Sequence, residues 1–401
     1  MAIAERPARE FPNTPSGQLG PNPVLDKLRA TEPVSQVQPP YGDDAWLVTR
    51  YADVRTVLID PRFSRAAAIS ENVPRATPGI PQADSIMSLD PPDHTRLRTL
   101  VAKAFTVARV AKLRPRAEQI ASELLDRVVD HGEPCDLVEH FCLPMPVAVI
   151  CALLGVPSAD QGNFRTWSDA FLSTTGLSVE EIDEAGLNLY SYVLDLVNER
   201  RNKPTDDLLG ALAQARDGEQ RLSEHELVVL GVTMLIAGYE TTGGQLGNFL
   251  YLLLSRPQVA DRLRGEPDLL PSAIEEMLRC VPVLAGVGFA RIATEDVELS
   301  GTTIRAGEAV LTSEPAANRD EEIFGEHTEF DIERDPNPHL TFGHGVHYCL
   351  GAQLARMELQ VGIRSVLERF PRLRFATGPD GLRWKEGSLA HGVAELPVAW
   401  S

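Results

Sequence analysis

Positive charge is scarce in this sequence: 38 Lys and Arg stand against 57 Asp and Glu, a formal charge of −19. A nucleic-acid partner calls for a basic surface, so none is expected. Paired cysteine is missing too. The five cysteines, Cys135, Cys142, Cys151, Cys280 and Cys349, are odd in number, and no two have C-x-x-C spacing. Neither a disulfide framework nor a zinc site is expected. No uninterrupted apolar run reaches the roughly 20 residues that a membrane-spanning helix needs. Residues 1–20 are polar and proline-containing, without a basic stretch leading into an apolar one, so no signal peptide is expected. These absences together lead to the expectation of a cytoplasmic, monomeric protein that meets no membrane.

The chemistry begins at Phe342-Gly343-His344-Gly345-Val346-His347-Tyr348-Cys349-Leu350-Gly351. Here one cysteine sits in a glycine-rich turn just before an amphipathic run. Leu350, Leu354, Met357 and Val361 recur at helical spacing, which predicts a helix to Phe370. A thiolate is a strong, soft metal ligand. At a helix start, free N–H groups and the macrodipole lower a thiol pKa. Gly345 and Gly351 let the backbone turn tightly and a flat group come close. The other four cysteines lie in apolar or helix-like sequence and read as core filler.

The longest predicted helix runs from Ser223 to Ser255. Ser223 and Glu226 form a capping box, and Arg256-Pro257 ends it. About 33 residues would span roughly 50 Å. Its middle, Leu235 to Gly244, is poor helix chemistry, since each glycine costs up to about 1 kcal/mol relative to alanine. Glu240 and Thr241 interrupt the apolar run, Thr241 can bond back to its own helix, and Gly238 leaves room for a flat ligand. In the helix opened by Asp90-Pro-Pro-Asp, His94 and Arg98 share one face. That face either binds an anion or is simply solvated. Glu276 and Arg279 can pair at i, i+3 on a helix over 273–280.

The remaining chain reads as an extended arm over 1–40 with one short helix near 23–30, and a long loop over 62–90. Helices follow over 110–215, broken at Gly132-Glu-Pro, Pro144 and Pro146, Gly155-Val-Pro and Lys203-Pro204, with a bend at 173–176. Residues 283–312 are strand-like and include Gly286 to Ile292.

Phe342, Gly345, Cys349 and Gly351 fill the four fixed positions of Phe-x-x-Gly-x-x-x-Cys-x-Gly, and the loop resembles the haem-ligand loop of the cytochrome P450 family. Asp-Pro-Pro-x-His-x-x-x-Arg at 90–98, Ala-Gly-x-Glu-Thr at 237–241 and Glu-x-x-Arg at 276–279 resemble further family strings in the family's order. The resemblance implies a mainly α fold with small antiparallel β-sheets, residues 1–401 forming one domain. Within it, 1–40 is the arm, 62–90 a substrate-access loop, 223–255 the oxygen-binding helix and 342–351 the haem-ligand loop. It implies haem b with the Cys349 thiolate as axial ligand. Ala237, Gly238, Phe342, Gly343 and Gly351 would lie against the haem, with Phe342 shielding the sulfur and Gly345 and Gly351 shaping the turn. His94, Arg98, Arg291 and His347 would hold its propionates. Glu240 and Thr241 would deliver protons, and Glu276, Arg279 and Arg334 would form a buried network.

The implied activity is that of a monooxygenase. It uses O2 to hydroxylate or epoxidise a bulky, largely apolar molecule such as a macrolide, polyketide or terpenoid in secondary-metabolite biosynthesis. Electrons would come from a ferredoxin and its ferredoxin reductase, since no fused reductase is expected. Arg109, Lys112, Arg114, Arg356 and Arg364 are candidates for the docking face. The segments 62–90, 167–185, 232–241, 283–289 and 387–390 would line the substrate site. Glu314 stands out as an acid there, either paired or facing a polar substrate group. Three rival readings remain: a peroxide-driven haem-thiolate enzyme, which usually lacks the acid–threonine pair; a non-catalytic haem protein; and a Cys349–His347 nucleophile enzyme, for which no orienting partner is evident.

Overall fold

A computed structural model describes residues 8–174, 177–203, 205–217, 220–284, 288–325 and 330–401. Thr175 and Gly176 of the expected bend, Pro204, and Gly286 and Val287 of the expected strand lie outside these residues. The chain opens with β1 (Arg9–Glu10) and α1 (Pro23–Thr31), where Pro23 takes the first turn and Asn22 caps it by accepting from the Val24 amide. β2 (Val34–Gln38), β3 (Ala45–Val48), α2 (Tyr51–Ile59) and β4 (Phe63–Ser64) follow. The arm is therefore more structured than expected, because β1 pairs parallel with β2.

After the long loop come α3 (Asp93–Ala104), α4 (Val107–His131), β5 (Cys135–Asp136), a π-helical turn (Val138–Cys142), α5 (Pro144–Leu154), α6 (Gln161–Leu172), α7 (Val179–Asn202) and α8 (Leu208–Gln214). Gly132 and Gly155 end α4 and α5 with φ of +84° and +74°. Pro144 and Pro146 open α5 rather than interrupt it, since the first turn has no N–H to lose. A short hairpin, β6 (Arg216–Asp217) and β7 (Gln220–Arg221), leads to α9 (Glu224–Leu254). Both capping-box bonds at Ser223 and Glu226 are present.

Next are α10 (Pro257–Gly265), α11 (Leu270–Cys280), β8 (Arg291–Ala293), β9 (Val297–Leu299), β10 (Thr302–Ile304), β11 (Ala309–Thr312), α12 (Glu314–Ala317) and α13 (Glu321–Phe324). α14 (Ala352–Arg369), β12 (Arg374–Phe375) and β13 (Pro397–Ala399) complete the chain. The sheets are small. β8 pairs antiparallel with β11, β9 with β10, and β12-β13-β5 form a third sheet. The largest sheet runs β1-β2-β3-β11-β8-β4 and also contains a parallel β3–β11 pair, which no local pattern announces because some 260 residues separate its strands.

α9 runs through the largest core cluster and packs on α5, α7 and α14. By length and composition it could cross a membrane, but 67% of its apolar window is buried inside the protein. Its glycines answer close neighbours: a Cβ on Gly243 would stand 3.0 Å from the Cys142 carbonyl oxygen. From α14, Gly362 meets Leu246 of α9, where a Cβ would come within 2.9 Å.

Candidate active site

The cysteine loop is held by its own amides. The Cys349 N–H donates to Phe342 O at 2.9 Å and the Gly343 N–H to Leu340 O at 2.8 Å. Gly343 and Gly345 have φ of +71° and +72°, the left-handed region. Gly345 also abuts α2, since a Cβ there would lie 2.8 Å from Leu58 O. Gly351 has an ordinary φ of −82°, so the turn is shaped by Gly343 and Gly345 rather than by Gly345 and Gly351. A Cβ on Gly351 would sit 4.0 Å from Cys349 Sγ. Its contribution is its amide: the Gly351 and Ala352 N–H groups lie near the sulfur and favour its thiolate form.

Cys349 keeps one open side, yet the protein packed around its thiol raises its pKa above the ordinary value. Burial is the largest cause, opposed by the Gly351 amide, Arg98, Arg356 and the Ala352 amide. The expected lowering by the helix start is thus present as a force and outweighed by desolvation. Coordination to a metal would remove the proton outright. Phe342 is half-buried beneath the Arg356 guanidinium, which lies 4.5 Å from its ring centroid.

Around this loop the structure gathers side chains from α3, β8, the segment after β4 and the loop itself. His94 of α3 and His347 of the loop pack with ring centroids 4.3 Å apart. His94 Nδ1 and His347 Nε2 are buried without a hydrogen-bond partner. Burial, then Arg65, His94 and Arg291, push the His347 imidazole down to about 3, so it is neutral at physiological pH. Arg291 on β8 is 4% exposed and Arg65, just after β4, is 8% exposed. Burial and then the Arg291 charge push Arg65 down to about 9, with Asp90 and Glu314 opposing. Neither guanidinium donates a hydrogen bond to another described residue, although Arg65 lies 4.5 Å from the Phe289 ring centroid. Arg98 is half-buried and donates to Tyr348 O at 2.5 Å. With His94 and Val346 it lines an open cleft of about 470 Å³.

Two adjacent buried cations and two orphaned imidazole nitrogens call for an anion with several acceptors. The carboxylates of a haem fit that demand, and the amide-held sulfur fits its iron. Arg65 was missed in the sequence, because Phe63-Ser64-Arg65 carries no local pattern and its significance comes from Arg291 across the chain. Glu314 is half-buried and raised by burial, accepts from Thr312 Oγ1 at 2.9 Å, and is opposed in that rise by Arg291 and Arg65. It therefore belongs to the same charge cluster.

On α9, Thr241 Oγ1 donates to Ala237 O at 2.6 Å, the back-bond its position predicts. Ala237 is exposed within a largely buried helix. Gly238 is half-buried, and a Cβ there would meet Ile150 of α5 at 3.5 Å. Ala237 is thus the more open position in this turn, while a Cβ on Gly238 would point toward Ile150. Glu240 is 6% exposed and pairs with Lys385 from the C-terminal segment, a partner that sequence reading did not find. Beside them, burial and the Glu240 charge push Asp169 up to about 6.

The buried network forms as expected. Arg279 grips Glu276 through two bonds of 2.8 and 2.7 Å, and Arg334 reaches the same carboxylate at 3.2 Å. Asn337 and the Asp331 amide complete the Glu276 shell. Three expected lining segments also meet: the Thr174 amide donates to Gly387 O, Leu389 to Leu172 O, and Leu284 bridges Ala390.

The cytochrome P450 family model matches residues 180–374. Mycinamicin IV hydroxylase/epoxidase of Micromonospora griseorubida is 52% identical over 93% of this chain and 94% of its own. Nocardicin C N-oxygenase of Nocardia uniformis subsp. tsuyamanensis is 49% identical over 98% of each chain. The solved structure of the mixed-function P450 MycG superposes with a TM-score of 0.93 at 51% identity, covering 98% of this chain and all of that one. Fold, cysteine loop and relatedness along nearly the whole chain agree: it belongs to the cytochrome P450 family of haem-thiolate monooxygenases, with Cys349 as the ligand cysteine.

Proposed function

We propose that the protein hydroxylates or epoxidises a bulky, largely apolar natural product of the macrolide class. The observation that carries this is the 52% identity, over nearly both full chains, to an enzyme named for hydroxylating and epoxidising mycinamicin IV. Bound haem would supply the oxidation, and a thiolate ligand would tune it toward oxygen activation rather than simple oxygen binding. The residues of this chain then divide the remaining work. Cys349, desolvated and flanked by the Gly351 and Ala352 amides, would donate electron density to the iron. Arg65, Arg291, His94, Arg98 and His347 would hold the carboxylates by charge-assisted hydrogen bonds. Glu240 moves protons inward from its Lys385 ion pair, and the Thr241 hydroxyl holds one at Oγ1. Glu276, Arg279 and Arg334 keep the segment leading into the cysteine loop in register. Loop 62–90, the end of α6 and residues 387–390 enclose the substrate and exclude water.

Electrons come from a ferredoxin and its reductase that dock on the cysteine face of a cytoplasmic monomer. Lys112 and Arg364 are exposed and suit that role. Arg356 does not, since it pairs with Glu275 at 2.7 Å. Arg114 and Arg109 also have internal partners, Gln360 and the Asp206 carbonyl. The test is the absorption of the reduced, carbon monoxide-bound protein, with a red-shifted Soret band of thiolate type expected. Cys349→Ala should abolish it, and a band that persists in that variant overturns the ligand assignment. Macrolide-induced spin-state shifts, with product formed from reduced ferredoxin, check the substrate class. The absence of any shift across a macrolide set would reject it.

A further inference from the structure

Where α4 ends, three side chains converge that the haem site does not use. His131 is the last residue of α4, Cys135 opens β5, and His140 lies in the π-helical turn before α5. One imidazole nitrogen from each histidine and Cys135 Sγ all lie within 4.8 Å of one another. The two rings stand 4.6 Å apart, centroid to centroid, and are tilted by 47°. Cys135 is 1% exposed, His140 half-buried and His131 exposed. The thiol therefore lies inside the group and the imidazoles nearer to solvent. His131 Nδ1 sits 3.2 Å from the neighbouring Gly132 carbonyl oxygen, which leaves Nε2 available. No hydrogen bond to another described residue engages the His140 ring or the Cys135 thiol.

We propose that His131, Cys135 and His140 bind a zinc ion, with solvent in the fourth position. Two imidazoles and a thiolate are the borderline-to-soft set that zinc takes, while calcium and magnesium demand oxygen. Zinc–nitrogen bonds of about 2.0–2.1 Å and a zinc–sulfur bond of about 2.3 Å require ligand atoms roughly 3.3–3.6 Å apart. The widest present separation must therefore close by about 1 Å, within reach of a rotamer change at exposed His131 or half-buried His140.

The frame beneath is fixed. Asp136 Oδ1 accepts from the Val138 and Leu396 amides at 2.9 and 2.7 Å, and Cys135 pairs with Val398 of β13. Glu133 accepts from the Trp400 and Ser401 amides. Zinc here would tie the end of α4, β5 and the π-helical turn together and brace the C-terminal strand. The C-x-x-C rule missed the site because its spacing is His-x3-Cys-x4-His and two of its three ligands are histidine.

The experiment uses the full-length, haem-loaded protein, dialysed against chelator and then titrated with zinc in competition with a chromophoric chelator. Zinc retained per chain is read by elemental mass spectrometry. Wild type should hold one zinc and melt at a higher temperature when zinc is added. The double variant His131→Ala/His140→Ala should bind at least about tenfold more weakly and lose the melting shift. Both histidines lie outside the core, and an unchanged reduced-carbon monoxide band verifies that the variant is folded. Cys135→Ser should likewise weaken binding. Wild type that holds no zinc against the chelator overturns the site, as does a double variant that holds as much as wild type.

Discussion

Single side chains decide the polarity around Glu240 of α9. Lys385 and Glu240 are 12% and 8% exposed at their side chains, so each is the other's main compensation. Lys385→Met leaves a carboxylate nearly buried without a cation and should cost about 3 kcal/mol in chemical denaturation. Product formed per NAD(P)H consumed should also drop, and Lys385→Arg should restore most of both. Asp169 adds a pH dependence of opposite sense to most acids. Its folded pKa of about 6 lies above its ordinary value of 3.8, so the folded state binds more protons between those limits. Its contribution is present below pH 3.8 and is lost as pH rises through 6. Asp169 keeps substantial solvent contact, so the loss should be about 1 kcal/mol or less. Asp169→Asn should flatten stability over that window, measured by urea denaturation at several pH values. Neither Lys385 nor Arg65 was legible in the sequence. Each gains its meaning from a partner far along the chain, whereas Cys349, His94 and Thr241 carry theirs in neighbours within a turn or two.

At the scale of elements, the helices most legible in the sequence are those closed by local chemistry. Ser223 and Glu226 announce the start of α9, and Gly132 and Gly155 close α4 and α5 as expected. The glycines of α9 were harder to read. A glycine-rich stretch in a long helix looks like a ligand site, but Gly243 stands tight against Cys142 and Leu143 and so serves packing. The same logic applies at Gly362, where α14 meets α9. A Cβ there would sit 2.9 Å from both Leu246 methyl carbons and 3.3 Å from Met145 Sδ. Gly362→Val adds three carbons to this contact and should cost about 2–3 kcal/mol by overpacking. Thermal unfolding would show it. Because α14 begins beside Cys349, the reduced-carbon monoxide band should also lose intensity. A variant as stable as wild type would mean that the crossing can open.

For the whole molecule, a charge of −19 shapes how any electron donor approaches. An acidic ferredoxin would be repelled at long range, so productive docking needs a local patch of the other sign. Much of the basic set expected around the cysteine face is committed inside the fold: Arg356 to Glu275, Arg114 to Gln360 and Arg109 to the Asp206 carbonyl. The fold thereby narrows the free cations among those five to Lys112 and Arg364, a distinction the sequence could not make because their partners lie on other elements. Lys112→Glu/Arg364→Glu should lower the rate of reduction by ferredoxin about tenfold at low salt. Substrate-induced spin-state titrations should stay unchanged, since neither residue belongs to the segments proposed to enclose the substrate. The gap between variant and wild type should narrow as salt rises, because the screening length falls from about 10 Å at 0.1 M to about 3 Å at 1 M. Stopped-flow reduction across that range is the measurement. Equal rates for the two proteins at low salt would move the docking face away from α4 and α14.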